Sequence, residues 1–186
     1  MISRREFLAS TAVLAAAPLS AAANTPPEFE LSDELRPRYV RINKDLPAGM
    51  IIVVPQTHFL YLVTEPEKGI RYGVGVGRAG LEFQGRAIIE RKAKWPSWRP
   101  TDSMIERDPK RYARFADGVP GGPNNPLGAR ALYMYENGID TYYRIHGTTD
   151  PTSIGRSVSN GCIRMINEHV ADLYERVPLG TEVVVL

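Results

Sequence analysis

The feature that most constrains this chain is a hydrophobic period of two. Ile70, Tyr72, Val74 and Val76 occupy every second position, the pattern of a strand with one face buried. Short apolar runs recur at Met50–Val54, at His58–Val63, at Arg86–Lys94 around Ile88 and Ile89, and at Ala129–Tyr135, Tyr142–His146 and Glu182–Leu186. Turn-forming text separates them: Glu65–Gly69 reads as a hairpin turn, and Gly118–Gly128 runs GVPGGPNNPLG. Only two stretches read as helices. One is Ile105–Phe115, with Pro109 in an early turn. The other runs from Asn167, a candidate cap, through Val177, with Ile166, Val170, Leu173 and Val177 on one face. The 16 glycines and 15 prolines suit such a turn-rich chain. The expected fold is a mainly β sandwich or barrel with one or two short helices.

The length of 186 residues fits one domain, and 43% hydrophobic residues suffice for a core. Lys plus Arg total 23 against 21 Asp plus Glu, a net charge of +2. That balance argues against nucleic acid as a partner. The N-terminus reads as an address. Ser3-Arg4-Arg5-Glu6-Phe7-Leu8 leads into an Ala-rich apolar run to about Ala17, and Ala21-Ala22-Ala23 supplies a small-residue exit. About a dozen apolar residues are too few to span a bilayer core, which takes about 20. Residues 1–23 are therefore expected to be a secretory signal. The paired arginines resemble the twin-arginine signal of bacteria, which implies the twin-arginine export machinery as a partner, a periplasmic or envelope location, and no stable membrane insertion after signal removal. Residues 24–38, with Pro26, Pro27 and Pro37, read as an extended arm, and 39–186 as the domain.

Several motifs carry little chemistry. Gly75-Val76-Gly77-Arg78-Ala79-Gly80 matches G-x-G-x-x-G, but another strand follows where a helix should open. The spacing of His58, His146 and His169 fits no metal motif, and no cofactor is implied. Between Arg86 and Arg114 nine basic residues face four acidic ones, either a solvated face or a basic rim for a carboxylate-rich ligand. Trp95 and Trp98 in the same stretch read equally as core anchors or as a cleft wall.

The informative segment is Tyr143–Met165. It contains Cys162, the one cysteine of the chain, and His146 sixteen positions earlier. His146 ends an apolar strand, a Gly-, Ser- and Thr-rich loop follows, and Cys162 comes just after Gly161. A loop joining neighbouring strands can bring thiol and imidazole together, as thiol catalysis requires. An imidazolium neighbour lowers a thiol pKa, so the pair is expected to rest as thiolate and imidazolium near neutral pH. Gly161 lets a substrate carbonyl approach and backbone N–H groups turn toward an oxyanion. An inert buried cysteine beside an unrelated histidine is the alternative.

The same residues resemble the signature of L,D-transpeptidase catalytic domains, the YkuD-like family. His146-Gly147-Thr148-x-x-Pro151-x-Ser153-Ile154-Gly155 is followed by Ser159-x-Gly161-Cys162-Ile163-Arg164-Met165. Pro96-x-Trp98, Asn125-Pro126-Leu127-Gly128 and Gly180-Thr181-Glu182-Val183 extend the likeness to roughly Tyr39–Leu186. The resemblance implies a β-sandwich enzyme acting on peptidoglycan stem peptides. Cys162 would be the nucleophile and His146 the general base and acid, with the Gly147 carbonyl orienting the ring. The backbone N–H groups of Gly161 and Cys162 would hold the oxyanion. A Cys162 thioester would form with release of D-Ala, and a neighbouring stem's amine would take the acyl group in a 3→3 cross-link. Arg164 would anchor a substrate carboxylate or form a structural ion pair, and Ser159, Asn160 and Trp98 are further substrate-binding candidates. Many relatives carry His where this chain has Asn160, which cannot titrate. Other acceptors, among them a lipoprotein lysine or a free D-amino acid, would use the same acyl-enzyme. Water would make it an L,D-carboxypeptidase or endopeptidase. A non-catalytic wall-binding module and a sortase-like cysteine enzyme complete the alternatives.

Overall fold

The structure is a computed structural model that describes residues 29–186. The signal read at residues 1–23 lies outside the described residues, as does the first part of the arm. Among the described residues no helix is long and apolar enough to cross a membrane.

The period-two runs form a mixed nine-stranded sheet. Its strands are β1 (Arg38–Arg41), β2 (Ile51–Val54), β3 (Phe59–Glu65), β4 (Lys68–Gly73), β6 (Gly85–Lys94), β7 (Arg130–Glu136), β8 (Ile139–His146), β10 (Ile163–Arg164) and β11 (Glu182–Val185), in the order β1-β4-β3-β2-β11-β6-β7-β8-β10. A parallel pair, β5 (Val76–Gly77) with β9 (Ser157–Ser159), stands apart. The mainly β fold expected from the sequence is the fold observed.

The alternation sorts side chains between two faces. Ile51 and Val53, Leu60 and Leu62, Ile70 and Tyr72, Ala87 and Ile89, Leu132 and Met134, and Val183 and Val185 all join one core. Helix α3 (Asn167–Arg176) adds Val170 and Leu173 to it. Lys92 on β6 caps this helix. Its ammonium donates to the carbonyls of Tyr174 and Val177, both at 2.6 Å, and lies over the Tyr174 ring. A cation at that end complements the helix dipole.

The chain past β4 bends back to the far edge of the sheet. Gly75 and Arg164 exchange backbone bonds of 2.9 and 2.7 Å, so the segment after β4 meets β10. The alternation at Val74 and Val76 thus belongs to two pairings rather than one long strand. Glycine is needed at this crossing. A Cβ on Gly75 would overlap the Ser153 carbonyl, and one on Gly77 would sit 2.9 Å from the Gly161 Cα. The G-x-G text marks close backbone approach, not a phosphate cradle.

Several boundaries differ from expectation. The β3–β4 turn is only Pro66-Glu67, shorter than the five residues read from the sequence. The single helix expected at 105–115 is split into α1 (Asp102–Arg107), α2 (Pro109–Tyr112) and a 3-10 turn, Ala113–Phe115. Pro109 has no N–H and disfavours helical backbone at the residue before it. Asp108 accordingly ends α1 at φ −147° and caps α2, its carboxylate accepting from Arg111 N–H at 3.2 Å. Among the described residues the short α-helices are thus α1, α2 and α3. Asn167 does not cap α3. Its Oδ1 accepts from Ala129 N–H and its Nδ2 donates to the Thr148 carbonyl, tying two loops together. The basic stretch also divides, because Arg86, Lys92 and Lys94 face Glu182, α3 and Glu175, while Arg99 and its successors belong to the helical segment. It forms no single rim.

The described end of the arm is anchored to the sheet. Arg71 donates to the Glu34 carbonyl at 2.8 Å, and Leu35 fills the space left open by Gly73 and Gly155.

Candidate active site

β8 and β10 run parallel, with Ile145 opposite Ile163 and His146 opposite Arg164. Register partners share a face, and the face alternates along each strand. Ile145 and Ile163 enter the core, so His146 and Arg164 take the other side. Cys162 lies immediately before β10, close enough to Arg164 to feel its charge.

His146 is only 4% exposed. Its Nδ1 lies 2.5 Å from the Gly147 carbonyl. A carbonyl can only accept, so Nδ1 carries the proton and Nε2 keeps its lone pair. The ring is thereby held in the tautomer a base requires. Burial lowers its pKa to about 4, the Arg164 and Arg144 charges acting in the same direction against the Gly147 and Leu127 carbonyls. Burial also pushes the Cys162 thiol up, opposed by the Arg144 N–H and the Arg144 and Arg164 cations. The expected thiolate–imidazolium pair is thus corrected. Desolvation favours the neutral form of each, outweighing what the neighbouring charges and carbonyls return. No hydrogen bond joins them among the described residues. The thiol points at the Tyr142 carbonyl, 3.8 Å away.

The loop before Cys162 is tightly built. Gly161 has φ +119°, and a Cβ there would overlap the Leu81 carbonyl and the Tyr143 ring. Its N–H, a sequence candidate for the oxyanion, donates instead to Ser159 Oγ at 3.0 Å. Ser159 in turn donates to the Cys162 carbonyl at 2.6 Å. Ser159 is 2% exposed, so its hydroxyl braces the turn from inside rather than facing a ligand. The Cys162 N–H has no partner among the described residues.

Asn160 bridges two elements, accepting from Arg78 at 2.7 Å and donating to the Tyr112 hydroxyl at 2.7 Å. Tyr112 lies on α2, where Trp98 packs edge-on against it and against Phe115. Trp98 also pairs with Val119, closing the base of the helical segment. It anchors that segment, and Asn160 fastens the segment to the thiol loop. The Arg164 guanidinium has no hydrogen-bond or ion-pair partner among the described residues; Asp150, Cys162, Arg111 and Tyr112 surround it electrostatically. Among the described residues no three His, Cys, Asp or Glu side chains converge as metal ligands would.

Sequence reading missed Asp140, Thr141, Arg144, Arg78 and Tyr112. The Asn137-Gly138 dipeptide, both residues at positive φ, is a two-residue hairpin signal. It would have started β8 at Ile139 and brought Asp140 onto the strand.

Residues 48–185 match the family model YkuD, L,D-transpeptidase catalytic domain. A protein of Escherichia coli K12 named "Probable L,D-transpeptidase ErfK/SrfK" is 34% identical over 140 residues, which are 74% of this chain and 44% of that protein. The chain thus spans less than half the length of this relative. A Brucella melitensis structure named a "probable carnitine operon oxidoreductase caia" is 54% identical, with TM-score 0.58, covering 84% of this chain and 96% of the other. An Enterococcus faecium L,D-transpeptidase structure shares the fold at 14% identity and TM-score 0.56, over 76% of this chain and 50% of the other.

Proposed function

The chain belongs to the L,D-transpeptidase catalytic-domain family, and on that premise we propose that it is an exported, cysteine-dependent acyltransferase of bacterial peptidoglycan stem peptides. The observation that carries the reading is the shared face of His146 and Arg164, with Cys162 close to Arg164 at the start of β10 and Nδ1 of the histidine occupied by Gly147.

The thiol must first leave the Tyr142 carbonyl and turn to the imidazole. Nε2 then takes the thiol proton as Sγ bonds to the carbonyl carbon of the stem's third residue. The Cys162 N–H is the available donor for the oxyanion; Gly161 joins it only if its bond to Ser159 opens. The C–N bond breaks, and the imidazolium returns its proton to the departing D-Ala amine. The amine of a neighbouring stem attacks the thioester, losing a proton through His146, and the C–S bond breaks to restore the thiol. The product is a 3→3 cross-link. Arg164 is the candidate anchor for a substrate carboxylate, since an unpaired guanidinium offers bidentate recognition.

The oxidoreductase name of the Brucella protein is not carried over. Gly75–Gly80 runs through a backbone crossing into β5 and a turn, so it opens no helix on which a dinucleotide pyrophosphate would sit.

Incubation with disaccharide-tetrapeptides, followed by mass analysis of the products, tests the proposal. Cross-linked dimer supports it, and tripeptide alone makes water the acceptor. No product and no acyl adduct would leave a wall-binding module.

A further inference from the structure

We propose that Tyr142 is a substrate-contacting residue that selects the side chain of the acyl-donor residue, favouring a long aliphatic one. The inference rests on the acyl-transfer function above.

Tyr142 has φ +62° within β8, a conformation an aromatic residue adopts only when its surroundings enforce it. The enforcement is visible. Tyr133 pairs with Arg144 but Tyr135 with Asp140, so Met134 faces three residues, Thr141, Tyr142 and Tyr143. Asp140 Oδ1 accepts from Tyr142 N–H at 2.8 Å. Thr141 Oγ1 accepts from Tyr143 N–H at 3.2 Å and donates to the Met134 carbonyl at 2.6 Å. Arg144 holds both oxygens of Asp140, at 2.6 and 2.8 Å, and lies over the Tyr133 ring. Asp140, Thr141 and Arg144 are thus positioning residues for one bulge, and bulges beside active sites re-aim side chains.

The bulge has two consequences. It turns the Tyr142 carbonyl to the Cys162 thiol, and it leaves Tyr142 70% exposed. Its neighbour behaves differently: Tyr143 packs against Phe83 and bonds to the Leu81 carbonyl. An exposed aromatic residue whose own carbonyl meets the thiol, held by enforced backbone geometry, offers a contact surface to a ligand.

Proximity selects the ligand. The substituents nearest a carbonyl bonded to Sγ are those on its own Cα. A sugar attached three residues away along the stem would lie up to about 10 Å off. The ring is borne by the residue whose carbonyl meets the thiol, so we assign it to the donor residue's side chain, its face packing on methylenes.

The test compares acyl-enzyme formation, by intact mass, with two tetrapeptide donors that carry either a diamino acid or alanine at the third position. The wild type should favour the diamino donor. Tyr142→Ala should cut that preference about tenfold, the low end of what methylene contacts contribute to discrimination, with the loss falling on the diamino donor. Tyr142→Phe should keep the preference. Tyr142→Asn, which tolerates the left-handed backbone, should behave like the alanine variant and guards against a folding artefact. An unchanged ratio in Tyr142→Ala and Tyr142→Asn, or equal slowing with both donors, would overturn the inference while leaving the acyl-transfer function intact. No adduct from the wild type with either donor would overturn that function and this inference with it.

Discussion

Lowering the pH from 7 to 4 is expected to remove about 3 kcal/mol of folding stability through His146 alone. The ring's pKa is about 4 in the folded chain against 6.5 when free, and each unit of difference is worth about 1.4 kcal/mol. The buried imidazole resists protonation, so between those values the unfolded chain binds the extra proton. Stability is therefore full above pH 6.5 and falls as the pH drops toward 4. Urea unfolding of the wild type and of His146→Gln at pH 7, 5.5 and 4 isolates the effect. The variant should lose about 3 kcal/mol less than the wild type across that range. His169, whose pKa is also lowered by burial, titrates in both proteins and drops out of the comparison. In kinetics, the acid limb of acylation should sit near pH 4, not at the pH where a free histidine titrates. Parallel stability curves for the two proteins would refute the neutral, buried imidazole on which the mechanism depends.

Cys162→Ala should abolish the acyl adduct in intact-mass analysis with unchanged far-ultraviolet circular dichroism; a persisting adduct would exclude Cys162 as nucleophile. Gly161→Ala should destabilise the fold by about 2 kcal/mol or more, because it combines strained φ with overlap onto the Leu81 carbonyl and the Tyr143 ring; an unchanged melting temperature would contradict this packing. Asn160→Ala frees both Arg78 and Tyr112 and loses roughly 0.5–1.5 kcal/mol per bond. It should raise hydrogen exchange across residues 102–115 and slow acylation by about tenfold at most, against a factor on the order of 10²–10⁴ for His146→Ala. Equal damage from the two would make Asn160 part of the catalytic machinery.

The legible part of the site was its one-dimensional part. His146, Gly161, Cys162 and Arg164 stand in a fixed order and spacing that chain text can carry, and parallel pairing of β8 with β10 sets His146 and Arg164 on one face. The bulge at Thr141–Tyr143 was not legible, because it depends on how many residues Met134 opposes across the sheet.

What the sequence determined by itself was the fold class, since a period of two permits little but half-buried strands, and the short set of candidate groups, a single thiol and a motif histidine. Only the tertiary structure decided their state and their partners. Desolvation pushes both His146 and Cys162 toward their neutral forms, the reverse of what an isolated pair would do, because desolvation depends on everything packed around a group. The Gly161 N–H is spent on Ser159, and Asn160 is committed to Arg78 and Tyr112. Tyr112 lies 48 residues from Asn160 and Arg78 lies 82. No local pattern spans such separations; only the closure of the sheet and the seating of the helical segment bring those groups within hydrogen-bond reach.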